Sequence, residues 1–205
     1  MIGSFMSWKD DILVFDTETT GFKEDARILQ IGMVHLVNQK VHFKFSMLAH
    51  PGPIDWNSCE VTKALSVNKI TRKDVVDLPT LKDMSLIINY LMQPSTWAAH
   101  NAEFDHRMLK QSMSPIAPPL LIVDTLICDY GLRPGKHKRS LENVCREWKV
   151  VNENPHEAFG DALATAEVLV KMLPSLPDNL LEMMNLMRRW GAQRKREIEL
   201  RKNKK

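Results

Sequence analysis

Apolar and polar positions follow two different periods along this chain, and the change between them divides it. Residues 12–15 (Ile-Leu-Val-Phe) form a short continuous apolar run, as expected of a buried central strand. Residues 28–37 and 41–48 follow. In the second, Val41, Phe43, Phe45 and Met47 alternate with Lys44 and Ser46 between. The polar stretch Asn38-Gln39-Lys40 predicts a tight turn and therefore an antiparallel hairpin.

Beyond residue 80 the period becomes helical. Leu81, Met84, Ile87, Ile88 and Leu91 lie on one helical face, with Thr80 as expected N-cap and Pro94 past the end. Residues 96–99 predict a short strand, 103–113 a helix, and 120–123 a strand with Asp124 placed to cap the next helix. Leu141, Val144, Cys145 and Trp148 form a stripe behind Ser140. Ala162, Leu163, Ala166, Leu169 and Val170 form another, stopped by Pro174, and a last helix from Asp178 carries Leu180, Met183, Met184, Met187 and Trp190. Three antiparallel strands followed by alternating helices and strands predict an α/β sheet with helices on both faces.

Composition narrows the setting. With 205 residues, 44% hydrophobic and 26% charged, the chain falls in the globular class. A chain of this length buries about 70% of its unfolded surface, enough for a core without staples. No apolar run approaches the roughly 18 residues of a membrane span, and the start of the chain, interrupted at Lys9-Asp10-Asp11, does not resemble a signal peptide. Cys59, Cys128 and Cys145 are odd in number and widely spaced, which suits a reducing cytoplasm.

Charge is unevenly placed. From Arg188 to Lys205 there are nine Lys or Arg and two Glu, whereas the other 187 residues carry 19 basic and 23 acidic side chains. The expected organisation is therefore residues 1–177 as the working domain and 178–205 as a helix with a basic tail. Such a tail suits a polyanionic partner, and equally a solvated helix end.

Three segments carry candidate chemistry. Asp16-Thr17-Glu18-Thr19-Thr20-Gly21 follows the first apolar strand directly. Residues two apart on a strand share a face, so Asp16 and Glu18 can converge. Two converging carboxylates repel by about 4 kcal/mol at 4 Å with an effective dielectric of 20. A divalent cation reverses that sign, and oxygen-only ligands suit Mg²⁺ or Mn²⁺. A polar hairpin turn also fits this segment taken alone. His100-Asn101-Ala102-Glu103-Phe104-Asp105 runs from a strand end into a helix, where the helix dipole favours Asp105 with or without a metal. Phe104 can serve the core or offer a face to a base. In His156-Glu157-Ala158-Phe159-Gly160-Asp161, Asp161 is read as opening a helix and His156 as a loop residue suited to take a proton from water.

Together the three segments resemble the exonuclease motifs of the DnaQ-like DEDDh family of 3′–5′ exonucleases, which includes proofreading subunits of bacterial replicative polymerases. The motif D-x-E is Asp16-Thr17-Glu18, the second ends at Asp105, and H-x-A-x-x-D is His156 to Asp161. The sister group carries tyrosine four residues before its last Asp, where this chain has Glu157.

The resemblance implies a ribonuclease-H-like fold and two Mg²⁺ or Mn²⁺ ions held by Asp16, Glu18, Asp105 and Asp161, with His156 as the base. It further implies release of nucleoside 5′-monophosphates from single-stranded 3′ ends, DNA favoured over RNA. Substrate contacts are expected from Thr17, Thr19, Thr20 and Phe22 behind the first motif, and from His100, Asn101 and Phe104 around the second. Val67-Asn68-Lys69-Ile70 stands where proofreading subunits often carry Val-His-Gly-Ile, which makes Val67 and Asn68 candidates for packing on the terminal base. Arg133, Lys136, Lys138 and Arg139 are candidates to track a phosphate backbone. The last helix is read chiefly as packing on this domain, with a polymerase or other protein as an alternative partner. The competing readings are an exoribonuclease, an oligoribonuclease-like enzyme, and a nucleic-acid-binding module without turnover.

Overall fold

The computed structural model describes residues 7–113, 115–135 and 138–203. Its centre is a five-stranded mixed sheet made of β1 (Asp11–Thr19), β2 (Ile28–Val37), β3 (Lys40–Leu48), β4 (Thr96–Ala99) and β5 (Leu121–Asp124), in the order β3-β2-β1-β4-β5. The first three strands are antiparallel neighbours, while β1/β4 and β4/β5 are parallel. This is the mixed sheet that the periodicity predicts. Asn38 and Gln39 both take positive φ (48° and 64°), the backbone form that matches the twist of a two-residue hairpin.

β1 is the middle strand, which explains its unbroken apolar run: both of its faces are covered. Ile12 and Val14 pack with Val34, Leu36 and Val123 against α7 (Ala158–Met172), α6 (Leu141–Trp148) and α5 (Thr125–Leu132). Leu13 and Phe15 pack with Ile31, Met33 and Trp97 against α3 (Ser85–Leu91) and α4 (Ala102–Ser112). Trp97 sets its ring edge-on to Phe15 at 5.8 Å and donates its indole N–H to the Met92 carbonyl (3.1 Å), so a large ring is buried without a lost hydrogen bond.

Several boundaries differ from expectation. Thr80 does exchange bonds with Asp83 (2.9 and 3.2 Å), but regular helix begins only at Ser85. α7 starts three residues before Asp161, because the Glu157 side chain caps it by accepting from the Gly160 amide at 3.0 Å. Two helices, α1 (Cys59–Asn68) and α2 (Arg72–Val75), have no sequence signal of the expected kind. α1 buries only Val61 and Asn68, too little for an apolar stripe, and α2 is a single turn held by a Thr71–Asp74 capping box.

The charged C-terminal segment contributes α8 (Leu180–Lys202), capped by the Asn179 side chain. Met183, Met184, Leu186, Met187 and Trp190 join the α7 side of the core. Trp190 lies on the bare backbone of Gly131 in α5, where a Cβ would come within 2.1 Å of the indole. Tyr130 adds a hydroxyl donation to Glu197 at 2.6 Å. Among the described residues no helix is long and apolar enough to cross a membrane, and all three cysteines are free.

Candidate active site

β1 outruns its parallel neighbour. β4 pairs only with Ile12, Leu13 and Val14, so residues 16–19 have β2 on one side and no strand on the other. Strand alternation sends Asp16 and Glu18 to the α7 face, in line with Ile12 and Val14, and Thr17 to the α4 face.

Three devices bring the start of α7 to Asp16 and Glu18. Gly32 of β2 lies against it so closely that a Cβ would be 2.4 Å from backbone atoms of Ala158 and Phe159. Gln30 donates to Glu157 Oε1 (3.0 Å) and accepts from the Ala158 amide (3.1 Å), stapling strand to helix. Gly160 admits the Asn154 carbonyl, which would sit 2.3 Å from a Cβ there. As a result, carboxylate oxygens of Asp16, Glu18 and Asp161 lie within 4.8 Å of one another.

Asp105 approaches around the open edge of β1 and stands outside that triplet. Its Oδ1 accepts from both the Thr17 amide (3.0 Å) and the Thr17 hydroxyl (2.7 Å), taking the place of a missing strand partner. Asp124 holds the start of α4 by accepting from the Asn101 and Ala102 amides (3.0 and 3.1 Å), while it caps α5 through Leu126.

The electrostatics are those of uncompensated acid. Burial, then the charge of Asp105, Asp161 and Glu18, pushes the Asp16 carboxyl well above the usual carboxylate range. Burial and the Asp161 charge push Glu18 up to about 7, against a hydrogen bond from Asn68. Burial pushes Asp105 up to about 7 despite its bonds from Thr17, and Asp161 is raised by burial despite donors from Asn152 and the His156 amide. None of the four pairs with a Lys or Arg among the described residues. An all-oxygen cluster that repels itself, with no side-chain cation to balance it, fits a hard divalent ion.

Comparison with known proteins supplies the family. Residues 13–169 match a family model described as Exonuclease. The chain belongs to that exonuclease family. It is 32% identical over 167 residues to a PolC-type DNA polymerase III of Clostridium perfringens, covering 80% of this chain and 11% of the polymerase. It is 30% identical over 176 residues to the DNA polymerase III subunit epsilon of Buchnera aphidicola, covering 78% of this chain and 71% of the subunit. The structure of exonuclease X in complex with 5′ overhanging duplex DNA shares the fold, with a TM-score of 0.68 at 24% identity over 86% of this chain and 99% of that one. The fold is thus the ribonuclease-H-like fold of these exonucleases.

Around the carboxylates of this exonuclease lie two cavities. One, of about 440 Å³, is lined by Glu18, Thr19, Phe22, Val67, Asn68 and Phe104. Phe22 is 80% exposed, yet both neighbouring peptides are pinned: Glu60 accepts from the Phe22 and Lys23 amides, and Arg107 donates to their carbonyls. Its ring lies 5.6 Å from that of Phe104, which also meets the Arg107 guanidinium at 5.3 Å. Gly21 lets the turn pass Glu60, whose Oε1 would be 2.4 Å from a Cβ. The second cavity, of about 600 Å³, holds His156 and Asp161, and the His156 amide donates to Asp161 Oδ2 at 3.3 Å.

Three expected substrate contacts point elsewhere. The Thr20 hydroxyl accepts from the Arg27 amide (2.9 Å) and closes the β1–β2 loop. Both ring nitrogens of His100 are engaged, Nδ1 with the Thr125 hydroxyl and Nε2 with the Arg139 carbonyl, each at 2.9 Å. Asn101 takes a left-handed N-cap position (φ 65°) and lines a separate cleft beside Phe104. Thr17 is buried and serves Asp105 rather than the cavity surface alone. Of the basic loop residues, Arg133 and Arg139 are tied to buried Asp129, Lys138 lines a cleft, and Lys136 lies outside the described residues.

Sequence reasoning missed Asn152, whose side chain donates to Asp161 Oδ1, and Gln30. Gln30 did carry a signal: it is a polar residue in a strand that is otherwise almost wholly apolar.

Proposed function

We propose that this exonuclease is a divalent-metal-dependent 3′–5′ enzyme that releases nucleoside 5′-monophosphates from single-stranded DNA ends. The observation that carries the reading is the convergence of Asp16, Glu18 and Asp161, with Asp105 on the adjoining edge. These four would hold two Mg²⁺ or Mn²⁺ ions, with Asp105 keeping Oδ2 for the purpose. A bound pair of such ions supplies stabilisation of the attacking and leaving oxygens in an in-line displacement at phosphorus.

The chain's own residues do the rest. The terminal nucleoside enters the 440 Å³ cavity between Phe22, Val67 and Phe104, with Thr19 and Asn68 at its polar wall. The ring of His156, beside Asp161, accepts a proton from the attacking water. As the water oxygen bonds to phosphorus, the bond to the 3′ oxygen of the preceding nucleotide breaks, and that oxygen takes a proton from solvent to become the new 3′-hydroxyl. Polymerase-linked proofreading is the setting that the two polymerase III relatives favour, with α8 as a route to a protein partner.

The deciding experiment digests matched DNA and RNA oligonucleotides, single- and double-stranded, with 3′ or 5′ labels, in Mg²⁺ or Mn²⁺. Stepwise loss of the 3′ label from single-stranded DNA is expected. Preferential loss from RNA would move the reading to an exoribonuclease, and full activity of Asp16→Ala or in EDTA would end it.

A further inference from the structure

Away from the carboxylates, a cleft of about 410 Å³ opens between α8, α5 and the loop leading into α6. Arg194, Ile198 and Arg201 line it from one face of α8, at the i, i+4, i+7 spacing of a helix. Lys138, Arg139 and Ser140 line it from the loop. Four cations therefore face one carboxylate, Glu197, which is already engaged by the Tyr130 hydroxyl and Arg201. Residues before 188 carry a net negative charge, so a basic cleft is not the general character of this surface.

Two links tie the cleft to the catalytic region. Ser140, the N-cap of α6, lines both this cleft and the cavity that holds His156 and Asp161. The loop carrying Lys138 is fastened to the end of β4 by the His100–Arg139 bond, and α8 itself reaches the second motif through Lys195 and Glu103 at 3.1 Å. Arg139 is held by Asp129 and shapes the wall; Lys138, Arg194 and Arg201 supply the charge.

We propose that this cleft binds the phosphate backbone of the strand upstream of the nucleotide being removed, so that a substrate leaving the His156 cavity crosses Ser140 and settles on α8. The proposal rests on the reading that the substrate is a nucleic acid. The basic tail then holds the polymer and takes no part in cutting it.

The test uses the full chain and two readouts. Binding of a long, 5′-labelled thymidine oligonucleotide is followed by fluorescence anisotropy in EDTA across a salt series, and hydrolysis of a small nucleotide ester is followed in Mn²⁺. Lys138→Gln, Arg194→Gln and Arg201→Gln combined should weaken oligonucleotide binding and lower the slope of log K against log salt by about two, as expected for three lost single-strand phosphate contacts. Ester hydrolysis should be unchanged. The matched set Lys40→Gln, Lys73→Gln and Lys82→Gln, on exposed sites elsewhere, should leave the slope intact. An unchanged slope in the cleft variant, or an equal fall in the matched set, overturns the proposal. Loss of binding in the cleft variant with no ester hydrolysis by any form supports the cleft and removes the hydrolytic reading instead.

Discussion

Asp105 gives a single carboxylate oxygen to both the amide and the hydroxyl of Thr17, at 3.0 and 2.7 Å. Thr17 lies between Asp16 and Glu18 in sequence but on the other face of β1. The strand thus carries two acids on one side and the anchor of a third on the other. Thr17→Val keeps the shape and the amide bond but removes the hydroxyl. A hydrogen bond to a charged group contributes about 1.5–3 kcal/mol, so kcat/KM should fall roughly tenfold or more. A magnesium titration of activity would show the requirement shifting to higher concentration; an unchanged titration would mean that Asp105 needs no such anchor.

Asn152 stands to Asp161 as Thr17 stands to Asp105. Groups that orient a metal ligand typically account for about 10- to 100-fold in affinity or activity. Asn152→Ala should therefore weaken Mn²⁺ binding by that order, read by calorimetry, while urea unfolding in EDTA changes little. Equal metal affinity in the variant would show that Asp161 is positioned by the α7 backbone alone.

The crowded acids also set a pH dependence. Glu18 and Asp105, both pushed up to about 7, hold protons in the folded state that they release in the unfolded one between roughly pH 4 and 7. Over that window the folded state binds more protons, so stability without metal should fall as pH rises, by about 3 kcal/mol from Glu18 at most. Above pH 7 a divalent ion should restore it, by about 2.7 kcal/mol at a hundred times its dissociation constant. Melting curves at several pH values, in EDTA and in Mg²⁺, compared with Glu18→Gln, would show a smaller pH slope and a smaller magnesium response in the variant. Parallel curves would mean that Glu18 does not set the pH dependence.

Gly32→Ala forces a methyl group into the start of α7. Overpacking of this kind costs about 1–3 kcal/mol, and here the displaced element carries Asp161. Both urea stability and manganese affinity should drop. Loss of stability with intact metal binding would show that α7 slides without moving its carboxylate.

Lys69 adopts a left-handed conformation (φ 63°) at the end of α1, beside Asn68 at the cavity wall. That conformation is costly for a residue with a side chain. Lys69→Gly should stabilise the fold by about 1 kcal/mol in urea unfolding without altering metal affinity, and a loss of stability would mean that the lysine side chain contributes more than its backbone costs.

Much of this was legible from residue order. The strands at 28–37 and 96–99 and the α6 helix behind Ser140 coincide with the observed elements, because each has a period strong enough to predict its own geometry. Asp16 and Glu18 sharing a face follows from strand alternation, a local property. α1 and α2 escaped because they bury too few side chains to leave a pattern. The reach of Asp161 to Asp16 depends on Gly32 and Gln30 meeting α7 across more than a hundred residues, and the approach of Asp105 to Thr17 depends on β4 being shorter than β1. His100, in the midst of a motif, turned out to have both nitrogens engaged by Thr125 and Arg139. Local spacing dictates which face a side chain takes; whether that face meets water, another acid or a satisfied partner is set by packing between distant segments, and no periodicity records it.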